Sequence, residues 1–213
     1  GRNMANVCKA VPTMNALSSF IPLLFLLSLV FLAKPCLSKQ SPVRTADGRI
    51  VTSYLMYTIE SKDKRFGGLR GREVDNTNCS VLHVYLSDSG DSGHITGFEQ
   101  PNSDPDSVVR VSSNVTIIFP KFSYWVISPR CRKTRVWQIS YDKKEKQYFV
   151  VSDLIEKNTG WFRVSKLNSG YYFQYCQSEK TCMKVGLYVK DGLRRLALSN
   201  TPLTVQFSGG FIS

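Results

Sequence analysis

A catalytic site needs a nucleophile, a base and a charge stabiliser that converge, and this sequence offers little from which to build one. Its two histidines are His83 and His94, and His83 falls inside an alternating run where a packed or strand-edge imidazole is the expected role. The patterns GxSxG, HExxH, GxxxxGK[ST] and GxGxxG are all missing. The cysteines do not show the CxxC or CxxH spacing that zinc favours. The chain therefore reads as a non-enzyme with no catalytic residue, no metal site and no cofactor.

The stretch that does ask for a chemical explanation is Gly97 to Ser113, GFEQPNSDPDSVVRVSS. From Glu99 to Ser107 it carries three acids and no base, in a chain whose net charge is +12. The bases collect elsewhere: Arg130, Arg132, Lys133 and Arg135 around Cys131, then Lys143, Lys144 and Lys146, then Arg194 and Arg195. Solvated loop charge is the expectation for these clusters. Nucleic acid would need aromatics interleaved with bases on an exposed face, whereas the aromatics here lie mainly inside strand-like runs.

Short runs rich in Val, Ile, Tyr and Phe recur along the whole chain after residue 40. They cover Tyr54–Ile59, Val81–Leu86, Val108–Ser112, Val115–Phe119, Val136–Ser140, Tyr148–Val151, Trp161–Val164, Tyr171–Tyr175, Val185–Val189, Leu193–Leu198 and Leu203–Phe207. Gly, Asn, Asp, Ser or Pro bounds each run, and Asp191-Gly192 is the clearest hairpin turn. No segment keeps helical periodicity for three turns. The class is all-β, with a sandwich or a closed barrel left open at this point.

Ahead of these runs, Phe20 to Ala33 is an apolar stretch of 14 residues, suited to a signal-peptide core and short for a bilayer span. Cleavage is expected after Ser38, making 1–38 a removed leader and 39–213 a single domain with an extracellular destination and no membrane contact afterwards. Met14 is a candidate initiator. Removal of Arg2, Lys9 and Lys34 leaves 25 bases against 16 acids, a net charge of +9. Cleavage also removes Cys8 and Cys36 and leaves Cys79, Cys131, Cys176 and Cys182. Four cysteines in an oxidising compartment suggest two disulfides with three conceivable pairings, of which Cys176 with Cys182 across a hairpin is the natural local one. Cys79 with Cys131 would then close a loop of about 50 residues, a constraint of roughly 4 kcal/mol in the chain-entropy picture. Asn114-Val115-Thr116 is the better of two glycosylation sequons, because Asn78-Cys79-Ser80 abuts a cysteine.

The order of these features resembles the plant Kunitz family, the soybean trypsin inhibitor type, and within it the miraculin-like branch. The opening stretch VRTADGRIVTSYLMYTI, then Gly67-Gly68-Leu69, DSVVRVSSNVTIIF, Trp137, KQYFVV, GWFRVSKL and VGLYVKDGLRRLALSNTPLTVQF carry the resemblance over nearly all of residues 42 to 209. It implies a β-trefoil of twelve strands, six closing a barrel and six capping it as hairpins. It also implies the pairs Cys79 with Cys131 and Cys176 with Cys182, and places Trp137, Trp161, Phe162 and Leu198 in the core.

Inhibitory members of that family display the loop after the first cysteine's strand in an extended, substrate-like shape, which loses little ordering entropy when an endopeptidase docks. The resemblance places that loop at Pro101, Asn102, Ser103, Asp104 and Pro105, with the specificity residue at Ser103 or, by the other count, Pro105. Trypsin requires a base there to meet an acid in its pocket. A carboxylate from Asp104 or Asp106 would face that acid, and like charges in a desolvated pocket cost several kcal/mol. The resemblance also makes Ser53 the loop-supporting residue, where inhibitory members carry a longer asparagine. Two readings follow: an inhibitor of serine or cysteine endopeptidases with altered specificity, or a defence, storage or binding protein that has lost inhibition. For the first reading, Lys62-Asp63-Lys64-Arg65 and the Arg130–Arg135 cluster are alternative inhibitory loops. A trefoil lectin is a third reading, without the repeated Q-x-W that one lectin class carries. The oligomeric state stays open.

Overall fold

The structure is a computed structural model that describes residues 40–53, 55–73, 81–100, 107–120, 134–153 and 161–212. The leader, Cys79, Cys131 and the span from Pro101 to Asp106 lie outside the described residues. Residues Gln40–Ser213 form one compact unit.

Twelve strands account for the described fold: β1 Leu55–Ser61, β2 Phe66–Glu73, β3 Val81–Asp88, β4 Gly97–Glu99, β5 Asn114–Phe119, β6 Arg135–Asp142, β7 Gln147–Asp153, β8 Trp161–Leu167, β9 Gly170–Cys176, β10 Cys182–Lys190, β11 Leu193–Leu198 and β12 Val205–Ile212. Six of them close a ring. β1 pairs β12, β12 pairs β9, β9 pairs β8, β8 pairs β5 and β5 pairs β4. The bridge Tyr57↔Thr96 then returns the ring to β1. Closure leaves no free sheet edge in the barrel.

The other six strands are three hairpins, β2–β3, β6–β7 and β10–β11. They meet in a triangle, through β3 with β7, β7 with β11, and β11 with β3. Each hairpin hangs from a barrel strand, through β1–β2, β5–β6 and β9–β10. A unit of four strands thus repeats three times, which is the β-trefoil.

The alternating pattern of the strands explains the core. In β3 the side chains of Leu82, Val84 and Leu86 are buried while the residues between them are half-exposed. Trp137, Phe162 and Leu198 are core residues as expected, with Trp137 packed edge-on against Phe119, Phe162 and Phe173 at centroid distances of 5.6 to 5.9 Å. Trp161 departs from expectation: it opens β8 and stays half-buried.

Two further departures have a clear cause. Val108–Ser112 is not a strand, because Ser107 and Ser112 adopt φ of 49° and 64°, which breaks the ladder at both ends and leaves single bridges at Val108 and Arg110. β2, with the sequence FGGLRGRE, and the three-residue β4 were not among the expected runs. Glycine in β2 is a matter of close approach. A Cβ on Gly68 would sit 1.9 Å from the Ser92 carbonyl oxygen, and one on Gly67 would sit 2.2 Å from that of Asp88. The Asp191-Gly192 turn is as expected, joining Lys190 and Leu193 with φ of 49° and 75° at its two residues.

Gly68→Ala must push the segment around Ser92 off β2, and overpacking against backbone of this kind costs about 2 kcal/mol or more. The urea midpoint should fall accordingly. A variant as stable as the parent would contradict this packing.

Candidate functional site

The candidate site is the rim that carries the span from Pro101 to Asp106, and both of its limbs are fixed. On the entering side, β4 pairs with β5 through Gly97↔Ile118, Phe98↔Ile117 and Glu99↔Thr116. Phe98 is fully buried, 6.2 Å from the ring of Tyr57 and 5.6 Å from that of Phe207. On the leaving side, Ser107 to Val111 is held by the opening segment of the chain. Val43 donates to the Val109 carbonyl, Val109 to the Val51 carbonyl and Val111 to the Ser41 carbonyl, at 2.8 to 2.9 Å. Val43, Val51 and Val109 are all fully buried.

Ser53 lies in this frame. Its backbone N–H donates to the Ser107 carbonyl at 2.9 Å, while its hydroxyl stands 3.4 Å from the same oxygen. The backbone bond is the strong one; the hydroxyl contact is at the limit of useful length. Gln100 ties the two limbs together, its Nε2 donating to the Val108 carbonyl at 2.7 Å.

Tyr57 and Thr96 connect the rim to the barrel. Their backbones exchange both hydrogen bonds, at 2.8 and 2.7 Å, and the buried Tyr57 hydroxyl accepts the Thr52 N–H at 2.9 Å, one residue before Ser53. Sequence reasoning gave no role to Tyr57, Thr96 or Gln100. Tyr57 sits in a largely apolar run, Leu55-Met56-Tyr57-Thr58-Ile59, whose pattern does not single it out.

His94 fixes the chain just before β4. Its N–H donates to the Leu69 carbonyl at 2.8 Å, its Nδ1 accepts the Gly71 N–H at 3.2 Å, and its ring meets the edge of Phe119 at 5.9 Å. Burial, and then the charge of Arg70, push its pKa down to about 4. Asp91, paired with Arg70 beside it, acts in the opposite direction. His83 is held down to about 4 as well, by burial and by the Arg195 guanidinium that contacts its ring. Both imidazoles therefore serve as neutral packing groups.

The other candidate positions are dispersed. Arg194 and Arg195 are not solvated loop charge: Arg195 lies 3.5 Å over the Phe149 ring, and Arg194 sits over Phe66 while pairing with Asp88. Lys62 to Arg65 forms a tight turn in which Phe66 N donates to the Asp63 carbonyl and the Asp63 carboxylate binds both the backbone and the guanidinium of Arg65. That turn is not the extended shape a protease reads. Arg130, Arg132 and Lys133 lie outside the described residues, and Arg135 is fully buried. Cys176 and Cys182 are disulfide-bonded across β9 and β10; the pair Cys79 with Cys131 lies outside the described residues. Asn114 opens β5, its Oδ1 accepting from Arg163 Nε at 2.7 Å.

Fold and rim together define a β-trefoil in which the residues flanking the span from Pro101 to Asp106 are anchored between its fourth and fifth strands. Residues 43–208 match the family model described as trypsin and protease inhibitor, and the chain belongs to this plant Kunitz family. Among curated relatives, Kunitz trypsin inhibitor 5 of Arabidopsis thaliana is 26% identical, covering 88% of this chain and 97% of that protein. Sporamin B of Ipomoea batatas is 27% identical over 85% and 94%, and miraculin of Synsepalum dulcificum is 32% identical over 51% and 54%. Soybean trypsin inhibitor shares the fold with a TM-score of 0.66 at 24% identity, covering 79% of this chain and 99% of that one. The same inhibitor in complex with porcine pancreatic trypsin gives a TM-score of 0.66 at 25% identity, over 79% and 98%. The family's description and the inhibitor names among these relatives accord with the expectation of a non-enzyme.

A histidine whose folded pKa lies below its unfolded value of 6.5 favours the folded state above that value, and the contribution is lost as pH falls from 6.5 to 4. For His94 the loss amounts to roughly 3 kcal/mol at pH 4. NMR titration should find the His94 ring still neutral at pH 5, and the urea midpoint should drop between pH 7 and pH 4. Titration of His94 near 6.5 would contradict its placement.

Proposed function

We propose that this protein is an endopeptidase inhibitor of non-tryptic specificity that presents the loop from Pro101 to Asp106 to its target. The observation that carries the reading is the rim itself. Six residues join Gln100, whose amide donates to the Val108 carbonyl, to Ser107, whose carbonyl accepts the Ser53 N–H, and Glu99 next to Gln100 pairs with Thr116 of β5. A frame of this kind limits the ordering entropy that docking costs and keeps cleaved ends together.

The loop sequence then sets the target class. Between Pro101 and Asp106 there is neither a base nor a bulky apolar residue, so a pocket with an acid at its base is repelled and a deep hydrophobic slot is left unfilled. The fitting partner is a serine or cysteine endopeptidase that accepts a small or acidic residue at Ser103 or Pro105. The apolar run before residue 38 and the Cys176–Cys182 bond support secretion of the mature chain, with the vacuole as an alternative destination. Asn114 is its proposed glycosylation site.

One observation favours the second reading, a defence, storage or binding protein without inhibition. Loop support at Ser53 comes from its backbone, and the 3.4 Å hydroxyl contact adds little rigidity. Sporamin B and miraculin, two of the relatives, do not carry inhibitor names.

An inhibition panel of trypsin, chymotrypsin, elastase, subtilisin and papain separates the two. The native protein should leave trypsin active and inhibit an enzyme that takes small or acidic residues, and Ser103→Arg should bring trypsin inhibition stronger by at least about a hundredfold. Installing Ser53→Asn beside it should strengthen that further. If the native protein inhibits none of the panel and the arginine variant is simply cleaved by trypsin, the loop is not an inhibitory site and the second reading stands.

A further inference from the structure

The tip of the β6–β7 hairpin stands apart from the rest of the surface. Tyr141 and Tyr148 face each other across the strand pair, 48% and 45% exposed, with ring centroids 4.8 Å apart. Between them the turn carries Lys143, Lys144 and Lys146, all exposed. None of the three lysines enters an ion pair among the described residues.

The acids of the same turn are directed elsewhere. Asp142 accepts the N–H groups of Lys144 and Glu145 at 2.9 and 3.1 Å and lies 4.0 Å from Arg195. Glu145 reaches across to the next hairpin, accepting from the Tyr188 hydroxyl at 2.8 Å and from Lys190 at 2.6 Å. Five residues that would otherwise have mixed charge therefore present three free ammonium groups beside an aromatic platform. The backbone of the turn is tied by the two bonds to Asp142 and by the reach of Glu145 to the next hairpin, with Lys146 at φ of 51°.

We propose that this hairpin tip is a docking site for an acidic polysaccharide whose sugar units carry carboxylates. Charge complementarity selects a polyanion, since clustered lysines with no acid partner raise the local potential. The tyrosines select among polyanions. Two rings in contact and tilted by 48° form a continuous platform on which the apolar face of a pyranose rests, and they leave no slot into which a nucleic-acid base could stack between them. Two cavities of about 310 and 280 Å³ lie elsewhere, around Ser61 and Phe66, and neither is lined by a residue of this tip. An exposed, cationic and aromatic hairpin tip fits an extended chain better than a small molecule.

The test uses the full disulfide-bonded protein and three probes: polygalacturonate, the same polymer fully methyl-esterified, and single-stranded oligothymidylate. Polygalacturonate should bind, with affinity falling as salt is raised, and the neutral ester should not. K143Q/K144Q/K146Q should weaken binding by about tenfold or more and flatten the salt dependence. Y141S/Y148S should weaken it about fivefold with the salt dependence unchanged. K62Q/K64Q, on the β1–β2 turn, should bind like the parent and so controls for general positive charge. The proposal is overturned if polygalacturonate is not bound, if the triple lysine variant binds like the parent, or if the tyrosine variant does. It is equally overturned if oligothymidylate binds as tightly as polygalacturonate.

Discussion

The barrel is closed by a single reciprocal pair of hydrogen bonds between Tyr57 and Thr96, and the candidate site depends on that closure. Five of the six barrel joints are made by strands that pair directly, from seven residue pairs each for β1 with β12 and β8 with β9 down to Val205↔Tyr171 alone for β12 with β9. The joint from β1 to β4 is an isolated bridge. Through it, β4 is brought beside β1, Phe98 is seated against Tyr57 and Phe207, and the Tyr57 hydroxyl captures Thr52. Ser53 then follows by chain connectivity and Val108 by its bridge to Thr52. A small closure far from any reactive atom thus fixes where the loop begins and ends.

The same architecture explains why the charged residues divide into two kinds. Where hairpins meet, guanidinium groups are drawn onto aromatic faces, Arg195 over Phe149 and Arg194 over Phe66, and burial beside Arg195 keeps His83 neutral. Where a hairpin reaches into solvent, as at Lys143 to Lys146, charge is displayed instead. The acidic loop belongs to neither kind. Its sequence, with three acids and no base from Glu99 to Ser107, opposes the net sign of the rest of the protein.

Much of the strand content was legible in the sequence because alternation of buried and exposed positions is strict where one face packs on the core, as in β3. The trefoil itself was not legible from periodicity. It came from the resemblance, since twelve short strands fit a sandwich as readily. β2 was hidden by three glycines and three charged residues, whose presence reflects backbone approach at Gly67 and Gly68. β4 was hidden by its length, and Val108–Ser112 misled because side-chain alternation says nothing about the positive φ values at Ser107 and Ser112. Of the rim, Ser53 was named only through the resemblance. Thr96 meets Tyr57 from a distant part of the chain, while the Gln100 amide and the Tyr57 hydroxyl bond backbone groups eight and five residues away in irregular segments that follow no strand period.

Amide hydrogen exchange at Ser53, Tyr57 and Thr96 tests most directly the claim that barrel closure holds the loop in a rigid frame. The account predicts that these three amides exchange as slowly as those of β12 paired with β1, opening only when the whole barrel unfolds. Exchange of Ser53 and Thr96 as fast as that of the exposed turn at Gly48 would show that the rim opens on its own, and would contradict the account.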